Sequence, residues 1–274
     1  MNYIIKFFFR LPLIFHHILG LILGLGMYLL DIKFKERITK NIARTKIVND
    51  KSKIRSLAIK TAMHIGMGLT ESFTIWSAQQ SNINHFIQKT INWNLIEKAQ
   101  QQKKGIIFLT PHIGSFEITA QYYGIQNPIT ILFKPSKNNW INNFILEGRT
   151  KNKVKPANIY VGGLREIIRA LKKGEAVGIL PDQVPPQGQG VWSDFFHDKV
   201  YTMNLVEKLH KLTGAPVIMA FGKRLTIGTG FQIELFAVEG KISADTINKK
   251  IEELVLMAPE QYLWNYRRYK LPKK

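Results

Sequence analysis

The chain of 274 residues, 45% of them hydrophobic, is long enough for one large domain or two small ones and for a substantial core. It has no cysteine, which excludes a disulfide scaffold, a cysteine nucleophile and every thiolate metal site. Its 39 basic and 19 acidic residues leave a net charge of +20, which calls for an anionic partner: nucleic acid, acidic lipid or an acidic protein.

Residues 11–30, LPLIFHHILGLILGLGMYLL, carry no charge, and about 20 apolar residues suffice to cross a bilayer core as a helix. Lys6 and Arg10 precede the run; Lys33, Lys35, Arg37 and Lys40 follow it. No small-residue cleavage site is evident, so residues 1–30 read as an uncleaved membrane anchor. The denser basic flank on the far side keeps the body, residues 31–274, in the cytoplasm. Pro12, His16, His17 and three glycines weaken the run as a full span, which leaves open a helix lying in the interface or dipping into one leaflet. Residues 31–60 hold ten Lys/Arg against Asp31, Glu36 and Asp50, a polybasic face suited to anionic headgroups and equally to a solvated helix. The apolar spacing of residues 57–80 predicts a helix in which His64 is a packed side chain.

From residue 105 short apolar runs alternate with helical stretches. Strands are expected at 105–110, 129–134, 176–181, 215–224 and 231–238, and helices at 115–124, 139–151, 163–173, 202–214 and 243–257. This alternation predicts an α/β fold, a mixed sheet flanked by helices, preceded by the hydrophobic helix.

Three segments at strand ends carry candidate chemistry, as open α/β sheets place ligands there. In Thr110-Pro111-His112-Ile113-Gly114-Ser115-Phe116-Glu117, a histidine follows a buried strand and a carboxylate opens the next helix. Five residues on a regular helix point about 140° apart, so His112 belongs to the turn before the helix, where its ring can fold back towards Glu117. A carboxylate on one imidazole nitrogen fixes the tautomer and makes the other a general base. The same spacing also suits a plain helix cap with a surface histidine. In the second segment, Pro181-Asp182-Gln183 opens a Pro/Gly/Gln-rich loop closed by Trp192, Phe195 and Phe196, fit to wall an acyl-chain pocket or to lie as a structured surface loop. The third joins Phe133-Lys134-Pro135-Ser136-Lys137-Asn138 to Gly148-Arg149-Thr150-Lys151, cations able to pair with phosphate or an oxyanion. There is no G-x-S-x-G elbow for a serine hydrolase, no H-E-x-x-H for a metal, and no phosphate-loop or dinucleotide fingerprint. Nucleic-acid binding accounts for the charge but for neither the anchor nor these segments.

Taken in order, the segments make the chain resemble the late acyltransferases of lipid A biosynthesis, within the lysophospholipid acyltransferase superfamily. His112 to Glu117 is similar to that superfamily's H-x4-D/E mark. The Lys134–Asn138, Gly148-Arg149, Pro181–Phe196 and Pro259-Glu260-Gln261-Tyr262-Leu263-Trp264 blocks, the last followed by Arg267 and Arg268, resemble family blocks in the same order. Lys134 stands where the family often has Arg, Val184 where many members have a second acid, and Lys151 where many have a second arginine.

The resemblance implies a mixed-sheet acyltransferase on the cytoplasmic face of a bacterial inner membrane. It implies transfer of a fatty acyl group from an acyl carrier protein thioester to a hydroxyl of a 3-hydroxyacyl chain on a Kdo-modified lipid A precursor. His112 is then the base and Glu117 its orienting partner. Arg149, Asp182, Lys134 and Asn138 are substrate-contact positions. No metal, cofactor or covalent enzyme intermediate is required, and the anionic partners are the carrier protein, the phosphorylated glycolipid and the membrane rather than nucleic acid. Acylation of a glycerophospholipid or aminolipid, or a non-catalytic membrane-bound binding protein, are the alternatives.

Overall fold

The computed structural model describes residues 11–136, 138–160 and 162–273. Lys6, Arg10 and Lys137, named above, lie outside the described residues, as does the rest of 1–10.

Five helices and one strand precede the central sheet strands: α1 (Leu13–Leu30), α2 (Ile32–Thr45), α3 (Lys51–Ser77), α4 (Gln80–Phe86), β1 (Ile87–Ile91) and α5 (Asn94–Gln101). Then follow β2 (Ile106–Leu109), α6 (Phe116–Gln126), β3 (Ile129–Phe133), α7 (Asn139–Arg149), β4 (Val154–Asn158), α8 (Gly163–Lys172) and β5 (Ala176–Ile179). The chain continues through β6 (Gly190–Phe195), β7 (Asp198–Met203), α9 (Leu205–Thr213), β8 (Val217–Arg224), β9 (Phe231–Ala237), α10 (Ala244–Met257) and a 3-10 turn at Pro259–Gln261.

Seven strands form one sheet in the order β1-β9-β8-β2-β5-β3-β4. Every pairing in it is parallel except β8 with β9. The α/β architecture read from the alternation is the one observed. The reason is visible in β2 and β5: both are buried at every position, as central parallel strands covered on both faces must be. Pro156 has no N–H to give a ladder, and β4 accordingly sits at the sheet's edge. Beyond β5, the segment read as a loop contains a separate antiparallel hairpin, β6–β7, with Phe195 opposite Asp198. Phe195 is fully buried there against Tyr262 and Tyr269.

The hydrophobic helix α1 is not a free rod. Leu13, His16, His17, Gly20, Gly24 and Tyr28 face the protein, and Ile14, Phe15, Ile18, Ile22, Leu23, Leu29 and Leu30 face outward. The inner face lies on α3 through a seam of glycines. A Cβ on Gly24 would stand 2.0 Å from the Ala62 carbonyl oxygen, and one on Gly66 1.9 Å from that of Gly20, so only hydrogen allows the two backbones to approach this closely. Among the described residues α1 is the one helix long and apolar enough to cross a membrane, by length and composition. After it, Asp31 caps α2 by accepting the Phe34 N–H at 3.0 Å. The inward Phe34, Ile38 and Ile42 join the core and leave Lys33, Lys35 and Lys40 on the outer face. Asp50 caps α3 in the same way through Ser52 and Lys53.

Candidate active site

Strand register brings the site together. β2 and β5 pair in parallel with Leu109 opposite Ile179, and the Thr110 N–H continues the ladder to the Ile179 carbonyl at 3.0 Å. Three residues past each strand stand His112 and Asp182, side by side at the carboxyl end of the sheet. Asp182 Oδ1 lies 2.7 Å from His112 Nδ1, and Asp182 Oδ2 accepts the His112 backbone N–H at 2.9 Å. Asp182 is buried, which opposes its ionisation; electrostatic attraction to His112, the two hydrogen bonds from His112 and the Arg268 cation overcome this and hold its carboxyl below the usual value. A carboxylate only accepts, so Nδ1 carries the ring proton and Nε2 presents a lone pair. The Gln183 side-chain amide nitrogen is 3.1 Å from that Nε2 and exposed to solvent, and His112 itself is 12% exposed.

Glu117 has different partners from those expected. Both its oxygens face Arg149, one at 3.0 Å from Nε and the other in a closer contact with Nη2, and the Trp76 indole N–H donates to Oε2 at 3.0 Å. Asp182, not Glu117, therefore holds the His112 ring. Arg149 closes α7, its guanidinium lying 5.6 Å from the Trp76 ring centre and 5.4 Å from that of Phe133. Two of its three nitrogens go to Glu117, so this side chain first organises the site's wall. Nη1 takes no part in that fork.

Of the other expected contact residues, Asn138 caps α7, its side-chain oxygen accepting the Ile141 N–H at 3.1 Å. Lys134 is exposed just past β3. Lys151 donates to the Trp76 carbonyl oxygen at 2.6 Å, fastening the end of α3. Ser115 is buried, and its backbone N–H donates to Gly222 O at 2.7 Å. It makes no hydrogen bond to the His112 ring, whose two nitrogens face Asp182 and Gln183.

The 112–117 segment is stitched in place on two sides. Gly114 has φ +59°, and a Cβ there would stand 2.2 Å from Gly222 O on β8, so glycine is required by both backbone and space. From the other side the Leu263 N–H donates to His112 O at 2.9 Å and the Gly114 N–H to Gln261 O at 3.0 Å. The Pro259–Trp264 block, which carried no chemistry in the sequence, is thus the brace of the histidine turn.

A cavity of about 50 Å³ is lined on one part of its wall by Thr110, Phe116, Glu117 and Arg149. It runs under α6 between Trp93, Ile96, Phe108, Tyr123, Ile129, Ile131, Ala120 and Leu235. This apolar slot lies apart from the 182–196 segment expected to wall one: Phe195 and Phe196 pack instead on each other and on Tyr262 and Trp264. Sequence reasoning found both members of the His112–Asp182 pair but did not join them. The available signal was the equal distance of each from the end of its strand. Trp76 had no local signal, since only packing of α3 against α6 brings it to Glu117. Among the described residues no group of three His, Asp or Glu side chains is arranged to hold a metal ion.

Comparison with known proteins bears on the chemistry. The family model described as bacterial lipid A biosynthesis acyltransferase matches residues 11–271. The chain is 27% identical over 260 residues to the lipid A biosynthesis lauroyltransferase of Escherichia coli (strain K12), covering 90% of this chain and 84% of that one. It is 30% identical over 213 residues to the lipid A biosynthesis palmitoleoyltransferase of the same strain, covering 75% and 69%. A solved 1-acyl-sn-glycerophosphate acyltransferase from Thermotoga maritima aligns over 89% of this chain and 96% of its own, with a TM-score of 0.39 and 16% identity.

Proposed function

We propose a specific reaction for this chain, which belongs to the bacterial lipid A biosynthesis acyltransferase family and is an O-acyltransferase of lipid A biosynthesis. The donor is an acyl carrier protein thioester, and the acceptor is the hydroxyl of a 3-hydroxyacyl chain on a Kdo-bearing lipid A precursor. The observation that carries this reading is the His112–Asp182 pair: with Nδ1 committed to Asp182 at 2.7 Å, Nε2 is left as the base, and Phe116, whose ring centre is 5.0 Å from that of His112, lines the apolar slot.

The acceptor hydroxyl displaces the Gln183 amide from Nε2 and gives up its proton there while its oxygen attacks the thioester carbonyl carbon. The C–S bond of the tetrahedral adduct then breaks, and the departing thiolate takes the proton back from the imidazolium. Asp182 stabilises that imidazolium and keeps its tautomer. The donor's hydrocarbon chain occupies the slot under α6. The Glu117–Arg149 fork frames the slot's polar entrance, and Nη1 of Arg149 offers one further donor to substrate.

The outward apolar face of α1 and the basic outer face of α2 support residence on an anionic membrane, with α1 lying in one leaflet rather than crossing it. The half of α1 that seats on α3 includes two buried histidines and cannot face lipid at the same time. The side occupied is the cytoplasmic face of the inner membrane.

Purified enzyme incubated with acyl carrier protein thioester and the glycolipid, read by mass spectrometry of the lipid, tests the reading. One added acyl group, lost in His112→Ala, is the expected result. Acylation of a glycerophospholipid in place of the glycolipid, or undiminished transfer by His112→Ala, overturns it.

A further inference from the structure

Outside the His112–Asp182 pair lies a second buried charge cluster that the reaction does not use. Arg224, at the end of β8, forks onto Glu71 of α3, with Nε and Nη2 each 2.7 Å from a carboxylate oxygen. Both side chains are almost completely buried. Two histidines complete the cluster. The Gly228 N–H donates to His17 Nδ1 at 3.0 Å, so His17 Nε2 carries the proton and donates to Glu71 Oε2 at 3.0 Å. Arg224 Nη1 lies 2.9 Å from His64 Nδ1, which therefore accepts. One acid, one base and two neutral imidazoles leave the cluster closed in charge.

A buried ion pair is a weak source of stability, because desolvation offsets most of its attraction. What this one has in addition is reach. Arg224 Nη2 also donates to the Gly114 carbonyl oxygen at 3.2 Å, inside the histidine turn. Five residues along α3 from Glu71, Trp76 donates to Glu117 at the other end of the same segment. Helix α3 thus meets the 112–117 segment directly at Glu117 and, through Arg224, at Gly114, and α1 holds α3, through the glycine seam and through His17.

We propose that Glu71 and Arg224 are positioning residues for His112, and that His17 makes their geometry depend on α1 being seated against α3. The hydrophobic helix is then a working part of the active site and not a detachable anchor. Loss of the seat weakens the Arg224 hold on the Gly114 carbonyl and lets the His112 ring drift from the acceptor hydroxyl. The inference rests on the reading of His112 as the base.

The test uses the full chain in detergent micelles and in anionic liposomes, with Arg224→Lys and His17→Gln. Lysine keeps the charge but cannot fork onto Glu71 and reach Gly114 at once. His17→Gln keeps both residues of the Arg224–Glu71 fork and removes only the imidazole link from α1 that holds its geometry. Both variants are expected to sediment with liposomes as the wild type does. Their kcat is expected to fall about 10- to 100-fold, the scale of an ångström-sized misplacement, at unchanged acceptor KM. The proton resonance of His112 Nδ1–H, identified by its loss in His112→Gln, is expected to shift or broaden in both.

Folded variants with wild-type kcat and an unshifted resonance overturn the proposal. If Arg224→Lys does not fold, His17→Gln decides alone by the same two readouts. If the wild type transfers no acyl group, the functional reading has failed, and the resonance, which needs no substrate, still decides whether the cluster positions His112.

Discussion

Asp182 binds His112 at two places, the ring through Oδ1 and the backbone N–H through Oδ2, at 2.7 and 2.9 Å. One carboxylate therefore fixes both the tautomer of the imidazole and the position of the chain that carries it. Replacing it with an amide breaks the first function more than the second. Asp182→Asn can still accept the backbone N–H, but it also offers an N–H to the ring and so favours the wrong tautomer. A fall in kcat of about 10²–10⁴-fold is expected with little change in thermal stability. Steady-state kinetics and a melting curve on the same preparation check it. In His112→Ala the further change Asp182→Asn should cost almost nothing more, since the two act as one unit.

The Glu117–Arg149 fork predicts a different pattern. Arg149→Ala leaves Glu117 in its buried site without its counter-ion, and breaking such a pair typically costs about 3–5 kcal/mol. A clear drop in Tm is expected along with lost activity. The joint change Glu117→Gln with Arg149→Met removes both charges and should recover much of the Tm but not the activity. Recovery of activity in the double variant would limit the fork to a structural role.

The slot under α6 sets an expectation for chain length. Ala120 lines it from a helix in which leucine is almost as favourable as alanine. Ala120→Leu should shift the transferred acyl group towards shorter chains at little cost in stability. Mass spectra of products from competing donors of different length give the readout. An unchanged product distribution would place the donor's chain elsewhere.

Stability should also depend on pH through the α1–α3–β8 cluster. Burial, reinforced by the Arg224 cation, pushes the His64 pKa from 6.5 down to about 3. Between those values the unfolded chain binds a proton that the folded chain refuses. This contribution is fully present above pH 6.5 and declines as the pH falls towards 3. Glu71 extends the decline: burial opposes its ionisation, but Arg224 and the hydrogen bonds from Arg224 and His17 lower its pKa from 4.5 to about 2. Denaturant midpoints measured from pH 7.5 to 4.5 should fall for the wild type and fall less for His64→Gln, which does not titrate in this range.

The central strands and most of the helices were legible because their periodicity is strong. Residues 106–109 and 176–179 are continuous apolar runs, and the covered middle of a parallel sheet demands such runs. What escaped lay at margins. β1 (IQKTI) and β4 (VKPAN) are polar edge strands, whose sequences look like loop because one side of each meets no neighbour. The β6–β7 hairpin hid in a stretch whose glycines and prolines read as loop. At the site, both His112 and Asp182 stood out at strand ends, yet local spacing joined His112 to Glu117. Parallel pairing of strands some 70 positions apart in the chain is a tertiary fact, and it alone sets Leu109 beside Ile179. Glu117 and Arg149 likewise sat in recognisable blocks, but their union required α6 and α7 to pack on the same Trp76.

The brace at Gln261 and Leu263 also bears on how the enzyme is made. Synthesis delivers α1 before the sheet, so the apolar helix is made while its partners in the core are still missing. Strands carrying His112 and Asp182 follow and can pair, but the backbone partners of residues 112 and 114 arrive only when 261 and 263 leave the ribosome. A nascent chain therefore carries α1 long before it holds a braced histidine turn. Products of premature termination upstream of Pro259 would carry both strands of the site without the backbone partners of residues 112 and 114.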